Sequence, residues 1–93
     1  MPVSVYIPTP FRVHTGNQAQ LELESPDVKA LLDLLEVRFT GLRGLLRNDA
    51  GEVHHHVNVY VNQEEIGALQ GQRTVLRPGD EVAIIPALAG GRA

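Results

Sequence analysis

The sequence predicts an α+β domain in which one main helix packs across a mixed sheet of four to five strands. Three observations carry that expectation: a stripe of apolar residues at helical spacing, a run of alternating valines, and a Pro-Gly turn leading into an apolar closing strand.

Val3-Ser4-Val5-Tyr6-Ile7 alternates branched apolar with more polar residues, and Pro8-Thr9-Pro10 ends the run, so a half-buried first strand is expected. A loop carrying His14-Thr15-Gly16-Asn17 follows. Ala19-Gln20-Leu21-Glu22-Leu23-Glu24 alternates again, with Ala19, Leu21 and Leu23 on one face, and pairs with the first strand as a hairpin with a loose turn. Ser25-Pro26-Asp27 reads as a helix start: serine accepts from early backbone N–H groups, proline fits the first helical position and aspartate complements the dipole. A helix is thus expected from Pro26. Val28, Leu31, Leu32, Leu35 and Phe39 form its apolar stripe, which needs a sheet to cover.

Gly41 interrupts that pattern, Leu42, Leu45 and Leu46 fit one further helical turn, and Asn48-Asp49-Ala50-Gly51 is a turn. His56-Val57-Asn58-Val59-Tyr60-Val61-Asn62 predicts a strand inside the sheet, with the valines facing one way. Gln63-Glu64-Glu65-Ile66-Gly67 is polar and turn-like, and Thr74-Val75-Leu76 fits a short edge strand. Arg77-Pro78-Gly79-Asp80 has Pro and Gly where a type II turn needs them, before a last strand Glu81-Val82-Ala83-Ile84-Ile85-Pro86. The order strand, strand, helix, strand, short strand, strand fits a β-grasp domain over residues 1–87, followed by a flexible tail, residues 88–93, carrying Gly90-Gly91.

The composition narrows the function. With 93 residues and an apolar fraction of 43%, the chain supports one core. It has no cysteine, which removes disulfides, thiolate metal sites and a cysteine nucleophile together. The net charge of −3 offers no broad attraction for phosphate backbones, so nucleic-acid binding is not expected. No apolar run reaches the ~20 residues that cross a bilayer, and Met1-Pro2-Val3-Ser4 has no signal-peptide character, so a cytoplasmic location and no membrane partner are expected.

Three segments carry a resemblance to a known family. Val57-Asn58-Val59-Tyr60-Val61-Asn62, Pro78 through Pro86, and Ala89-Gly90-Gly91 resemble the central strand, closing turn and strand, and functional tail of the ubiquitin-like sulfur carriers of the molybdopterin synthase small subunit and thiamine sulfur carrier type. Ile7-Pro8-Thr9, Arg12 and His14-Thr15-Gly16 are most similar to the carrier that serves a cysteine synthase. The resemblance implies that an adenylating enzyme related to ubiquitin-activating proteins uses ATP to activate the carboxylate of Gly91. Sulfur then replaces AMP to give a thiocarboxylate, and a cysteine synthase takes the sulfur. The chain itself is then no enzyme and binds no cofactor.

The residue types suit that role. A carboxylate is a poor acyl donor until its oxygen becomes a leaving group, and the partner must approach it closely. Glycine at 91 has no Cβ to obstruct that approach, and Gly90 gives the tail freedom to thread a narrow channel. The dipeptide alone is equally a frayed terminus. Arg92 and Ala93 follow Gly91, so the carrier reading requires cleavage between Gly91 and Arg92. A zinc peptidase of the deubiquitinase kind, which works beside some relatives, fits that step.

His54-His55-His56 invites a metal, but on a strand only His54 and His56 share a side, and two imidazoles do not make a closed site, so no metal is expected. Arg43 with Arg47, and Arg73 with Arg77, present positive charge to a partner or are simply solvated. Glu22, Glu24, Glu64 and Glu65 show no pairing for acid–base catalysis. Tyr60, Ala83 and Ile85 lie opposite the inward valines. With Leu88 of the tail, Tyr60 and Ile85 form a partner-docking surface, unless the stretch before His54 covers that face. Three roles remain open. The chain is a sulfur carrier for cysteine biosynthesis, or with the same tail for a molybdopterin or thiazole synthase. It is a protein modifier conjugated through Gly91. Or it is a β-grasp interaction module with an inert tail.

Overall fold

The computed structural model describes residues 2–86. Strand β1 (Val3–Tyr6) pairs antiparallel with β2 (Gln20–Leu23), and the helix α1 (Val28–Arg38) follows. Strands β3 (Val57–Val61), β4 (Glu64–Glu65) and β5 (Glu81–Pro86) complete one five-stranded sheet in the order β2-β1-β5-β3-β4. β5 lies in the middle, parallel to β1 and antiparallel to β3, which makes the sheet mixed as expected.

The alternation of the strands decides which face is buried. Val3, Val5, Leu21, Val57, Val59, Val61, Val82 and Ile84 all point to one side, where Val28, Leu31, Leu32 and Leu35 of α1 cover them. Ala19 stays exposed and Leu23 is half-buried, so only Leu21 of the expected β2 stripe is fully inside. Phe39 packs on the core's edge.

Helix α1 starts later than Pro26. Asp27 is its N-cap, in extended conformation with its Oδ1 accepting from the Ala30 N–H at 2.8 Å. Ser25, the expected acceptor, instead donates its hydroxyl to the Asp27 carbonyl, so aspartate and not serine caps the helix. The helix ends at Arg38, and Thr40–Leu42 forms a 3₁₀ turn. Gly41 is needed there because a Cβ would sit 2.5 Å from His14 Nδ1, where the 3₁₀ segment Thr9–His14 packs on Thr40–Leu42.

Two further elements differ from the expectation. Thr74–Leu76 is no sheet strand: Val75 bridges Asp27 alone, at the start of α1. The edge strand is β4, formed by Glu64–Glu65 within the polar segment, and it turns back from β3 through Asn62 and Gln63, both with positive φ. Asn62 secures that hairpin, donating its amide to Asp80 Oδ1 and accepting from the Glu81 N–H, each at 3.0 Å. The turn before β5 is as expected, with Gly79 at φ +89 and the Asp80 N–H bonded to the Arg77 carbonyl. Asp80 also accepts from the Arg77 N–H at 2.8 Å, and this bond, with the Asn62 amide, holds its carboxyl below the usual aspartate range.

Arg47 is not a presented charge. It is buried, with Nε and Nη2 on the two oxygens of Glu36 at 3.0 and 2.9 Å, Nη2 also on Asp33 Oδ1 at 2.6 Å, and Nη1 on Gln72 at 3.2 Å. This clamp fastens residues 43–53 along α1. The Arg47 hydrogen bond lowers the Asp33 pKa, with Lys29 adding a second contact, and Glu36 first among its partners raises that of Arg47.

Arg47→Ala leaves Glu36 half-buried without its cation and is expected to cost about 2–3 kcal/mol in urea unfolding. Because the folded pKa of Asp33 is depressed, its contribution is complete above the unfolded value and is lost as pH falls through the folded one. The wild type should therefore lose stability below about pH 4, and Arg47→Ala should flatten that acid limb while leaving the share owed to Asp80.

Candidate functional site

The open face of the sheet is built by the residues that alternate with the core. Tyr6 on β1 pairs with Ala83 on β5, Ala83 pairs with Tyr60 on β3, and Ile85 stands opposite Asn58. Tyr60, Ala83 and Ile85 are half-buried, and Tyr6 is 41% exposed. With Gln63 and Glu81, the three form a shallow groove of about 330 Å³. The stretch before His54 does not cover it, because Arg47 holds that stretch against α1. Tyr60 and Ile85 therefore share one surface, as their positions predict.

Sequence reasoning left Tyr6 and Arg12 out of this surface. Arg12 donates from Nε to the Ile7 carbonyl at 3.0 Å and from Nη2 to the Tyr6 hydroxyl at 3.3 Å, with its guanidinium 5.7 Å from the centre of the Tyr6 ring. The alternation of Val3-Ser4-Val5-Tyr6 was the available signal for Tyr6, since it sends Tyr6 to the face opposite the valines.

β5 runs toward residues 87–93 and ends at Pro86, the last described residue. The register brings Val57 to Pro86, and the histidine triplet lies just ahead of Val57. The triplet is a turn, not a strand, since the Val57 N–H bonds back to the His54 carbonyl. The His54 and His56 rings pack at 4.7 Å, His54 Nε2 lies 2.8 Å from the Gly44 carbonyl, and no group of three metal-ligating side chains occurs among the described residues. Leu88, Gly90, Gly91 and Arg92 lie outside the described residues. No helix among the described residues is long and apolar enough to cross a membrane.

A helix across a five-stranded mixed sheet in this strand order defines a ubiquitin-like β-grasp domain. The ThiS family model matches residues 5–91, and the chain belongs to that family. It is 38% identical over 93 residues to the sulfur carrier protein CysO of Mycobacterium tuberculosis, covering 98% of this chain and 100% of the relative. It is 46% identical over 61 residues to small archaeal modifier protein 3 of Haloferax volcanii, covering 66% of this chain and 65% of the relative. Among solved structures, that of the Amycolatopsis orientalis BexX/CysO complex contains a similar chain, with TM-score 0.87, 36% identity, and coverage of 96% of this chain and 99% of that one.

The two faces of β5 make a direct comparison. Ile84→Ala, which opens a cavity under α1, is expected to cost about 3 kcal/mol, and Ile85→Ala on the open face less than about 1 kcal/mol. Parallel urea titrations check the difference.

Proposed function

We propose that the chain is a sulfur carrier that works through the carboxylate of Gly91 and donates sulfur for cysteine biosynthesis. The observation that carries this reading is the family match itself: it runs through the closing strand and the Gly-Gly pair and stops at Gly91. The similarity to a sulfur carrier protein along nearly the full chain supports the cysteine route over the molybdopterin and thiamine alternatives.

In this reading a peptidase, of the zinc type, hydrolyses the Gly91–Arg92 bond in the cytoplasm. The freed carboxylate attacks the α-phosphorus of ATP on the adenylating enzyme and releases pyrophosphate. A sulfur nucleophile then displaces AMP from the acyl carbon, leaving a thiocarboxylate that a cysteine synthase consumes. The partners supply the catalysis and the ATP. This chain supplies a rigid body, a reach set by Gly90, and the surface of Tyr60, Ile85 and Leu88 that docks on each partner in turn. A similar chain has been solved in a protein complex, which accords with such docking.

The similarity to a small archaeal modifier protein favours a second reading, conjugation of Gly91 to amines on target proteins. Both share the acyl adenylate and part afterwards: sulfur attacks in one, an amine in the other.

Truncation after Ala89 separates both from an inert tail. The truncated chain is expected to keep its circular dichroism spectrum, since residues 2–86 carry the sheet and core, and to lose all carrier-dependent ATP–pyrophosphate exchange. Exchange that persists without Gly90 and Gly91 sinks the proposal.

A further inference from the structure

The register polarises charge along the sheet. At the end where β5 begins, Glu22, Glu24, Glu64, Asp80 and Glu81 outnumber Arg77, with Asp80 and Glu81 next to Ser4, and Glu64 opposite Val61. At the other end, where β5 leads into the tail, β1 finishes at Tyr6 with Arg12 over it, and β3 begins beside the histidine turn. The net acidity of the chain thus conceals an end that presents cationic and neutral groups around Pro86, where β5 ends.

Arg12 is unusually well held for a surface arginine. Its carbonyl accepts from the N–H groups of Thr15 and Asn17 at 3.0 and 2.8 Å, which fixes its backbone at the close of the 3₁₀ segment. Thr15, buried, donates its hydroxyl to the Gln18 carbonyl at 2.9 Å and locks the following turn. The guanidinium is positioned by Ile7 and Tyr6, and its Nη1 has no hydrogen-bond partner among the described residues. A planar cation immobilised over an aromatic ring, with donors left over, loses little entropy on meeting a carboxylate. It stands next to an apolar surface, the arrangement that makes an interface anchor.

We infer that Arg12 is the polar anchor of the docking face, and that it pairs with a carboxylate on an acidic rim around the partner's channel for the Gly91 tail. The inference rests on the carrier reading and deepens it by naming the partner's chemistry. The Tyr6, Tyr60, Ala83 and Ile85 surface meets the apolar floor of that site, while Arg12 sets register and orientation at the edge. The acidic far end of the sheet, facing a like-charged rim, disfavours docking the wrong way round.

The test is ATP–pyrophosphate exchange by the adenylating enzyme purified from the native cell, with the carrier ending at Gly91 as the varied substrate. Arg12→Glu is expected to raise the KM for the carrier about tenfold or more with kcat unchanged, whereas Glu64→Lys at the far end should not raise it. Arg12→Lys, which keeps the charge without the planar fork, should fall between wild type and Arg12→Glu. Added salt should raise the wild-type KM more steeply than that of Arg12→Glu, a readout that needs only unchanged kcat as evidence of folding. A wild type that supports exchange, matched in KM by Arg12→Glu, overturns this inference alone. A wild type that supports none overturns the carrier reading together with it.

Discussion

Hydrogen bonding of β5 along both edges is the constraint on which the rest of the molecule depends. β1 lies parallel on one side and β3 antiparallel on the other, and Val82 and Ile84 are sealed beneath α1. A slip of one residue would send both to the open face and bring Ala83 and Ile85 under the helix, so the register is firmly set. The closing strand therefore ends at one defined place, with Pro86 opposite Val57.

From that constraint follows a division between the faces. The side toward α1 spends its valines and leucines on the core, and the opposite side presents Tyr6, Tyr60, Ala83 and Ile85 without a covering element among the described residues. The chain belongs to the ThiS family and carries no cysteine, so it has no side-chain thiol of its own. The described residues thus combine a firmly registered β5 with an apolar surface open to solvent.

Much of this was legible in the residues because it rests on local period. The valines of β3, the stripe of α1 and the Pro78-Gly79 turn each declare their own structure, and the order of elements then points to the fold. What was not legible depends on distant partners. Arg47 reads as a solvated cation until Glu36, Asp33 and Gln72, 11 to 25 residues away, enclose it. β4 is two residues long and exists only because β3 offers an edge, while Thr74–Leu76 has strand-like residues but bridges the start of α1 instead of a strand. At the site, alternation placed Tyr60 and Ile85 together. Strand alternation could not place Arg12 over Tyr6, six residues earlier, since that contact needs the chain to turn back in the 3₁₀ segment Thr9–His14 that carries Arg12.

The most direct test of the central claim is the intact mass of the untagged protein isolated from its native cell under sulfur demand. The expected result is a chain that ends at Gly91, part of it heavier by the difference between one sulfur and one oxygen atom. A population consisting only of chains that continue through Ala93 would contradict it.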